Sequence, residues 1–248
     1  MGRETMKNNR LFRFLMIGMA ILMVLLLVTY VVLTLLARGP ESSMHDHITN
    51  EVTETRNHFM VEPTDPFATL VLYPGALVEA ESYVLLGDML AREGVRVIIP
   101  KMPLNFAILN RYAFNDYYEE GHPWFLGGHS LGGASASYVA DSYPERLEGL
   151  ILIASYTPSS IDLSETALSV LSITAELDGV IDTDALEIRE SLLPADTTHA
   201  RIDGANHAQF GYYGTQRADK EAEISVLEQH EITAGIIMDF VYEVMNKD

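Results

Sequence analysis

The sequence predicts an α/β fold: a mostly parallel central sheet with helices on both faces and no cap domain, preceded by one transmembrane helix. Three observations carry that expectation. From residue 58 onward, short apolar runs alternate with segments of helical spacing, as in strands joined by crossover helices. A glycine-flanked serine, Gly128-His129-Ser130-Leu131-Gly132, stands between one such run and a helical segment. An uncharged stretch of 22 residues, Leu15 to Leu36, precedes everything else.

That stretch is long enough to cross a hydrocarbon core of roughly 30 Å as a helix. Arg3, Lys7, Arg10 and Arg13 lie before it, and Arg38, Glu41 and Asp46 after it. The basic side stays in the cytoplasm by the positive-inside rule, so the expectation is an extracytoplasmic domain on an uncleaved anchor. Residues 1–14 then form a cytoplasmic tail, 15–36 the span, 37–57 a polar linker and 58–248 the folded domain. The alternative is secretion after cleavage of a signal peptide. Against it, the apolar core exceeds the usual length, and a cut after the small pair Ala37 and Gly39 leaves Pro40 next to it.

The domain reads as strands and helices in turn. A first strand is expected near Phe59-Met60-Val61, then a buried one at Ala68–Leu72. Tyr83, Leu86, Met89 and Leu90 give Glu79–Arg92 a helical spacing closed by Gly94, and Val95–Ile99 is the next strand. Leu104–Tyr118 reads as a helix introduced by Pro103. Trp124–Gly127 is the strand before the serine, and Leu131–Tyr143 the helix after it, stopped by Pro144. Leu150–Ile153 and Val170–Ile173 are buried strands, and the interval between them is too short for a helical cap. Thr183–Leu193 is a helix ended by Pro194, Thr198–Ile202 a strand, and Ile224–Met245 mostly a closing helix.

Chemistry concentrates where these strands end. G-x-S-x-G at a strand-to-helix turn exposes the serine hydroxyl above the sheet. A serine hydroxyl is a weak nucleophile without a base and an acid. Thr174-Ala175-Glu176-Leu177-Asp178-Gly179 follows one strand, and Gly204-Ala205-Asn206-His207 follows another. The order Ser, Asp, His is that of α/β-hydrolases. Ser130 would attack, His207 take its proton, and Asp178 orient the imidazole. Asp182 and Asp184 are lesser candidates for the acid. Tyr73-Pro74-Gly75-Ala76 ends an earlier strand, so the backbone N–H groups of Ala76 and Leu131 would form the oxyanion hole, at about 3 kcal/mol each. His129 is expected to be a structural hydrogen bonder. Tyr73 and Tyr156 either wall the cleft or pack half-buried, and Lys101 either anchors an anionic substrate group or is a surface lysine.

Tyr-Pro-Gly-Ala-Leu-Val (73–78), Pro-Lys-Met-Pro-Leu (100–104), Gly-Gly-His-Ser-Leu-Gly-Gly (127–133) and Asn-His-Ala-Gln-Phe-Gly (206–211) carry a resemblance. From Ala68 to Val244 the chain resembles a small bacterial α/β-hydrolase-fold family, distantly similar to the dienelactone hydrolases. The acid loop departs from that family's Gly-Thr-x-Asp-Gly but keeps the aspartate. The resemblance implies a serine hydrolase and leaves its substrate open.

Composition narrows the partners. Four of the 16 basic and one of the 35 acidic residues precede the span, which leaves 12 and 34 after it, a net of −22. Such a domain is repelled by nucleic acid and by anionic headgroups, so no nucleic-acid partner is expected and the helix must hold it at the membrane. The chain lacks cysteine, which excludes disulfides and thiol chemistry. His45-Asp46-His47 lacks a third ligand and a regular scaffold, so no metal site is expected. There is no phosphate loop or dinucleotide fingerprint, and no cofactor is expected. The expectation is a carboxylic ester hydrolase acting through an acyl-enzyme on a small or compact ester. Acyl transfer by the same triad, or a non-catalytic binding module, are the alternatives.

Overall fold

The structure, a computed structural model, describes residues 2–247, and side chains from residue 12 onward. It contains two compact units, Met1–Ala37 and Arg38–Asp248. The first is a single helix, α1 (Gly2–Leu36). Its segment Phe12–Leu36 is long and apolar enough to cross a membrane, a property that a membrane anchor and a signal sequence share. The side chains of Arg3, Lys7 and Arg10 lie outside the described part, whereas that of Arg13 is exposed.

The second unit carries strands β1 (Val52–Glu54), β2 (His58–Val61), β3 (Ala68–Tyr73), β4 (Val95–Pro100), β5 (Trp124–His129), β6 (Gly149–Ile153), β7 (Ser169–Ala175) and β8 (Thr198–Ile202). They form one sheet in the order β1-β2-β4-β3-β5-β6-β7-β8. β1 and β2 pair antiparallel, as do β2 and β4, and from β4 to β8 every pairing is parallel. Helices α2 (Val84–Arg92), α3 (Leu131–Ser142), α4 (Thr183–Glu190) and α5 (Val226–Met245) complete the unit.

The central parallel strands are largely apolar because both faces are covered, whereas the edge strand β8 is mostly polar and exposed. Side chains alternate between two cores. Leu70 and Leu72 of β3 and Ile151 and Ile153 of β6 join the cluster that holds α2 and α5 residues such as Leu86 and Ile237. Val71 and Tyr73, with Leu150 and Leu152, join the opposite one, with Ala136, Val139 and Ala140 of α3. This period of two is the pleat of the strand. Register aligns the carboxyl ends: Tyr73 pairs with Gly128, His129 with Ile153, Ile153 with Ile173, and Ala175 with Ile202. The loops after β3, β5, β6, β7 and β8 therefore open on one edge, where ligands of open α/β sheets bind. Residues 154–168, between β6 and β7, hold no helix, in keeping with the expected lack of a cap.

Two expectations require correction. The segment 37–57 is no free linker, because the compact unit begins at Arg38. Met44 is fully buried, and β1 extends the sheet. The cause is Asp88, a buried carboxylate on α2 that must be satisfied inside the protein. It accepts the backbone N–H groups of Thr49 at 3.1 Å and Asn50 at 2.7 Å and pairs with Arg92, which fastens the polar segment to the domain. Nor is Leu104–Tyr118 one helix. It forms three short 3-10 turns, Pro103–Asn105, Ala107–Asn110 and Ala113–Asp116. Leu104 and Asn105 have left-handed φ values of 53° and 57°. Long-range bonds from Leu77 N–H to Asn105 O (2.8 Å) and from Phe114 N–H to the Tyr73 hydroxyl (2.8 Å) pull the chain off a helical path.

Candidate active site

Ser130 stands between β5 and α3 with φ 53° and ψ −122°, a conformation that costs a non-glycine residue energy. The sharp turn needs glycine on both sides: a Cβ on Gly128 would overlap the backbone of Gly132 and Gly133, and one on Gly132 the carbonyl of Tyr73. Ser130 N–H donates to Ile153 O at 2.9 Å, and its carbonyl accepts the Ser155 hydroxyl at 2.7 Å, so β6 and the loop after it pin the turn. Ser130 and His207 line the same cleft, of about 320 Å³, with Leu131, Tyr156, Ile181 and Asp182.

His207 Nδ1 and Asp178 Oδ2 are 2.7 Å apart, both residues buried. The other carboxylate oxygen of Asp178 accepts the N–H groups of Val180 and Ile181, each at 2.8 Å. Burial alone would raise the Asp178 carboxyl, but the bond and charge of His207 with these two N–H groups outweigh it and hold it below the usual carboxylate range. A carboxylate accepting from Nδ1 leaves Nε2 as the proton acceptor of a neutral imidazole. Asp182 instead caps α4, accepting Ala185 N–H at 3.0 Å, and Asp184 sits in that helix's first turn. Of the three carboxylates, Asp178 is the one within hydrogen-bond distance of His207.

Leu131 is the first residue of α3, where a helix leaves its N–H groups without intrahelical partners. In the turn after β3, Gly75 N–H donates to the Tyr83 hydroxyl, Leu77 N–H to Asn105 O and Val78 N–H to Gly75 O. The Ala76 N–H has no partner among the described residues. Leu131 lines the cleft, and Ala76 does not.

His129 is buried and hydrogen-bonds through Nδ1 to the Tyr83 hydroxyl at 2.8 Å, in keeping with a structural role. Burial first, then the neighbouring His207, push its pKa well below the usual histidine value, so it stays neutral. Tyr83 thereby ties the turn after β3 to the residue before Ser130. Of the three cleft residues named from sequence, only Tyr156 lies there. Tyr73 is fully buried, its hydroxyl spent between Arg111 O (3.0 Å) and Phe114 N–H. Lys101 faces another hollow, bonded to Glu54 and to Thr55 O and seated over the Phe59 ring at 4.3 Å. Its strand ends on the right edge, but antiparallel β2 and the β1–β2 turn draw the side chain away.

Sequence reasoning missed Asp219. Its carboxylate accepts the N–H groups of Gly179 (3.0 Å), Ala208 (2.8 Å) and His207 (3.3 Å), joining the Asp178 loop to the His207 loop. Nothing in the local pattern of Arg217-Ala218-Asp219-Lys220 singles it out. A larger hollow of about 540 Å³ is lined by Asp219, Lys220 and Glu221 among others and includes neither Ser130 nor His207.

Residues 69–231 match the family model described as the alpha/beta hydrolase family. No curated protein sequence matches the chain. Among solved structures, a Thermus thermophilus protein is 14% identical over 81% of this chain and 100% of its own, with a TM-score of 0.59. The dienelactone hydrolase of Anabaena variabilis is 15% identical over 78% of this chain and 96% of its own, TM-score 0.56. Est1E of Butyrivibrio proteoclasticus is 12% identical over 78% and 99%, TM-score 0.54. At these identities the likeness is one of fold.

Proposed function

The chain belongs to the alpha/beta hydrolase family, and we propose that it is a serine hydrolase, specifically a carboxylic ester hydrolase with Ser130 as nucleophile, His207 as general base and Asp178 as the orienting acid. The observation that carries this reading is the strained Ser130 backbone at the edge of a cleft shared with the buried His207–Asp178 pair. His207 takes the Ser130 proton as the hydroxyl oxygen attacks the ester carbonyl, and Asp178 stabilises the imidazolium. Leu131 N–H and Ala76 N–H receive the developing oxyanion. The alcohol leaves with the proton from His207, and water repeats the sequence on the acyl-enzyme. A fluorophosphonate probe tests the assignment: the protein should label covalently at Ser130, and a binding module would not react.

The cleft favours short or compact acyl groups. Among the described residues no cap covers it, and the turns at 103–116 are not a lid helix. Each buried methylene contributes about 0.8 kcal/mol, and a chain left in water gains nothing from length. A rate series from acetyl to palmitoyl p-nitrophenyl esters should peak at short chains, with no rise where the substrate forms micelles. A maximum at long chains, or a jump at that threshold, refutes the open-cleft reading.

The chain acts at the outer face of a membrane, held by α1 as an uncleaved single-pass anchor with its N-terminus in the cytoplasm. Four basic residues before the span and an acidic domain after it support that orientation. Protease added to intact cells should remove the domain and spare the tail. Protection until the membrane is opened contradicts the orientation, and a mature N-terminus after residue 36 contradicts the anchor.

A further inference from the structure

We propose that Asp219 is a positioning residue: its carboxylate fixes the separation of the two loops that carry Asp178 and His207, and so holds the imidazole in line between Asp178 and Ser130. The inference rests on the serine hydrolase reading above. Backbone pairing between the two loops stops short of the pair. The β7–β8 ladder ends at Ala175 and Ile202. Two bonds follow it, Glu176 N–H to Ile202 O at 3.0 Å and Leu177 N–H to Ala205 O at 2.8 Å, and among the described residues no backbone bond joins the loops beyond them. The bond from His207 Nδ1 to Asp178 Oδ2 lies just past that point. A side-chain bond between two otherwise untied loops costs the entropy of ordering both.

Asp219 takes the place of the missing ladder. One of its carboxylate oxygens accepts Gly179 N–H at 3.0 Å, His207 N–H at 3.3 Å and Lys220 N–H at 3.0 Å, and the other accepts Ala208 N–H at 2.8 Å. Three of these donors are the residue after the acid, the base itself and the residue after the base. Hydrogen bonds to an ionised carboxylate are stronger than neutral ones, so this hub holds both loops at once.

The surrounding chain is shaped to bring the carboxylate there. Ala218, just before it, has a left-handed φ of 78°, a conformation that costs a non-glycine residue energy. A Cβ on Gly179 would overlap the Ala218 carbonyl, so the acid loop and this segment meet backbone to backbone. Asn206 Nδ2 donates to Lys220 O at 2.7 Å, a second tie from the base loop. Asp219 lines the larger hollow and not the cleft, so it acts through the Asp178–His207 pair rather than by touching substrate.

The test compares Asp219→Ala, Asp219→Asn and Asp203→Asn in the full chain, with a short p-nitrophenyl ester as substrate. A catalytic group misplaced by about 1 Å costs about 10²-fold, so Asp219→Ala should lower kcat by that factor and leave KM unchanged. Asparagine keeps one accepting oxygen and turns an NH₂ group toward an N–H, so Asp219→Asn should lose about tenfold. Asp203→Asn removes an exposed charge from the base loop and should change neither constant. Two readouts separate positioning from support of the fold. The downfield proton resonance of His207 Nδ1–H, held by Asp178, should be lost or move upfield in both Asp219 variants. In an Asp178→Asn background either Asp219 change should cost less than about threefold, because the pair through which Asp219 acts is already broken. Should Asp219→Ala not fold, Asp219→Asn carries the same tests. A lowered unfolding midpoint with kcat and the resonance intact, or losses at 178 and 219 that multiply, overturns the inference. A parent that labels with a fluorophosphonate at Ser130 while Asp219→Asn turns over as fast leaves the hydrolase reading standing and sinks this one alone. If the parent neither labels nor turns over the ester, the hydrolase reading falls and this inference falls with it.

Discussion

Ser130→Ala is expected to lower turnover of a short p-nitrophenyl ester by about 10⁶-fold and to abolish fluorophosphonate labelling, with the fold unchanged. Alanine bears the same backbone strain as serine, and no hydrogen bond that pins the turn uses the Ser130 side chain: the pinning groups are its N–H and carbonyl. The thermal unfolding midpoint should therefore stay close to that of the parent. His207→Ala should cost nearly as much, and the double variant little more, because nucleophile and base act as one unit. Full labelling of Ser130→Ala would overturn the assignment of the nucleophile. Additive losses in the double variant would mean that the two side chains work separately.

Asp178→Asn is expected to reduce turnover by on the order of 10⁴ while leaving the loop in place. The geometry explains how. One carboxylate oxygen of Asp178 accepts from Val180 and Ile181 N–H, so an asparagine keeps its carbonyl oxygen there. Its NH₂ group must then face His207 Nδ1, which becomes an acceptor. The imidazole proton moves to Nε2, and the base can no longer take the Ser130 proton. Asp182→Asn is the control. Asp182 caps α4 through Ala185 N–H, and asparagine caps as well as aspartate, so turnover and stability should change little. A larger loss in Asp182→Asn than in Asp178→Asn would place the acid one turn further along the loop.

The amino-acid sequence by itself determined the elements whose evidence is local. Apolar runs such as Leu150–Ile153, too short for a helix, read as strands buried on both faces, and the glycines around Ser130 mark a turn too tight for side chains. The order of serine, aspartate and histidine along the chain survives translation into structure because each follows a strand of one parallel sheet, and register brings those strand ends to one edge. What the tertiary structure alone decided depends on partners distant in the chain. Residues 38–57 look like a solvated linker until the buried carboxylate of Asp88, far along the sequence, claims Thr49 and Asn50. The segment after Pro103 has helical spacing, but bonds from Leu77 and to the Tyr73 hydroxyl break it into turns. Tyr73 and Lys101 follow strands as cleft residues do, yet one is consumed by hydrogen bonds within the core and the other is drawn toward Glu54. Asp219, which holds the Asp178 and His207 loops together, has no motif at all. Periodicity and motif record the pull of near neighbours and of water on a side chain, whereas a buried polar group is satisfied by whichever backbone the fold brings to it, and that choice is made only in three dimensions.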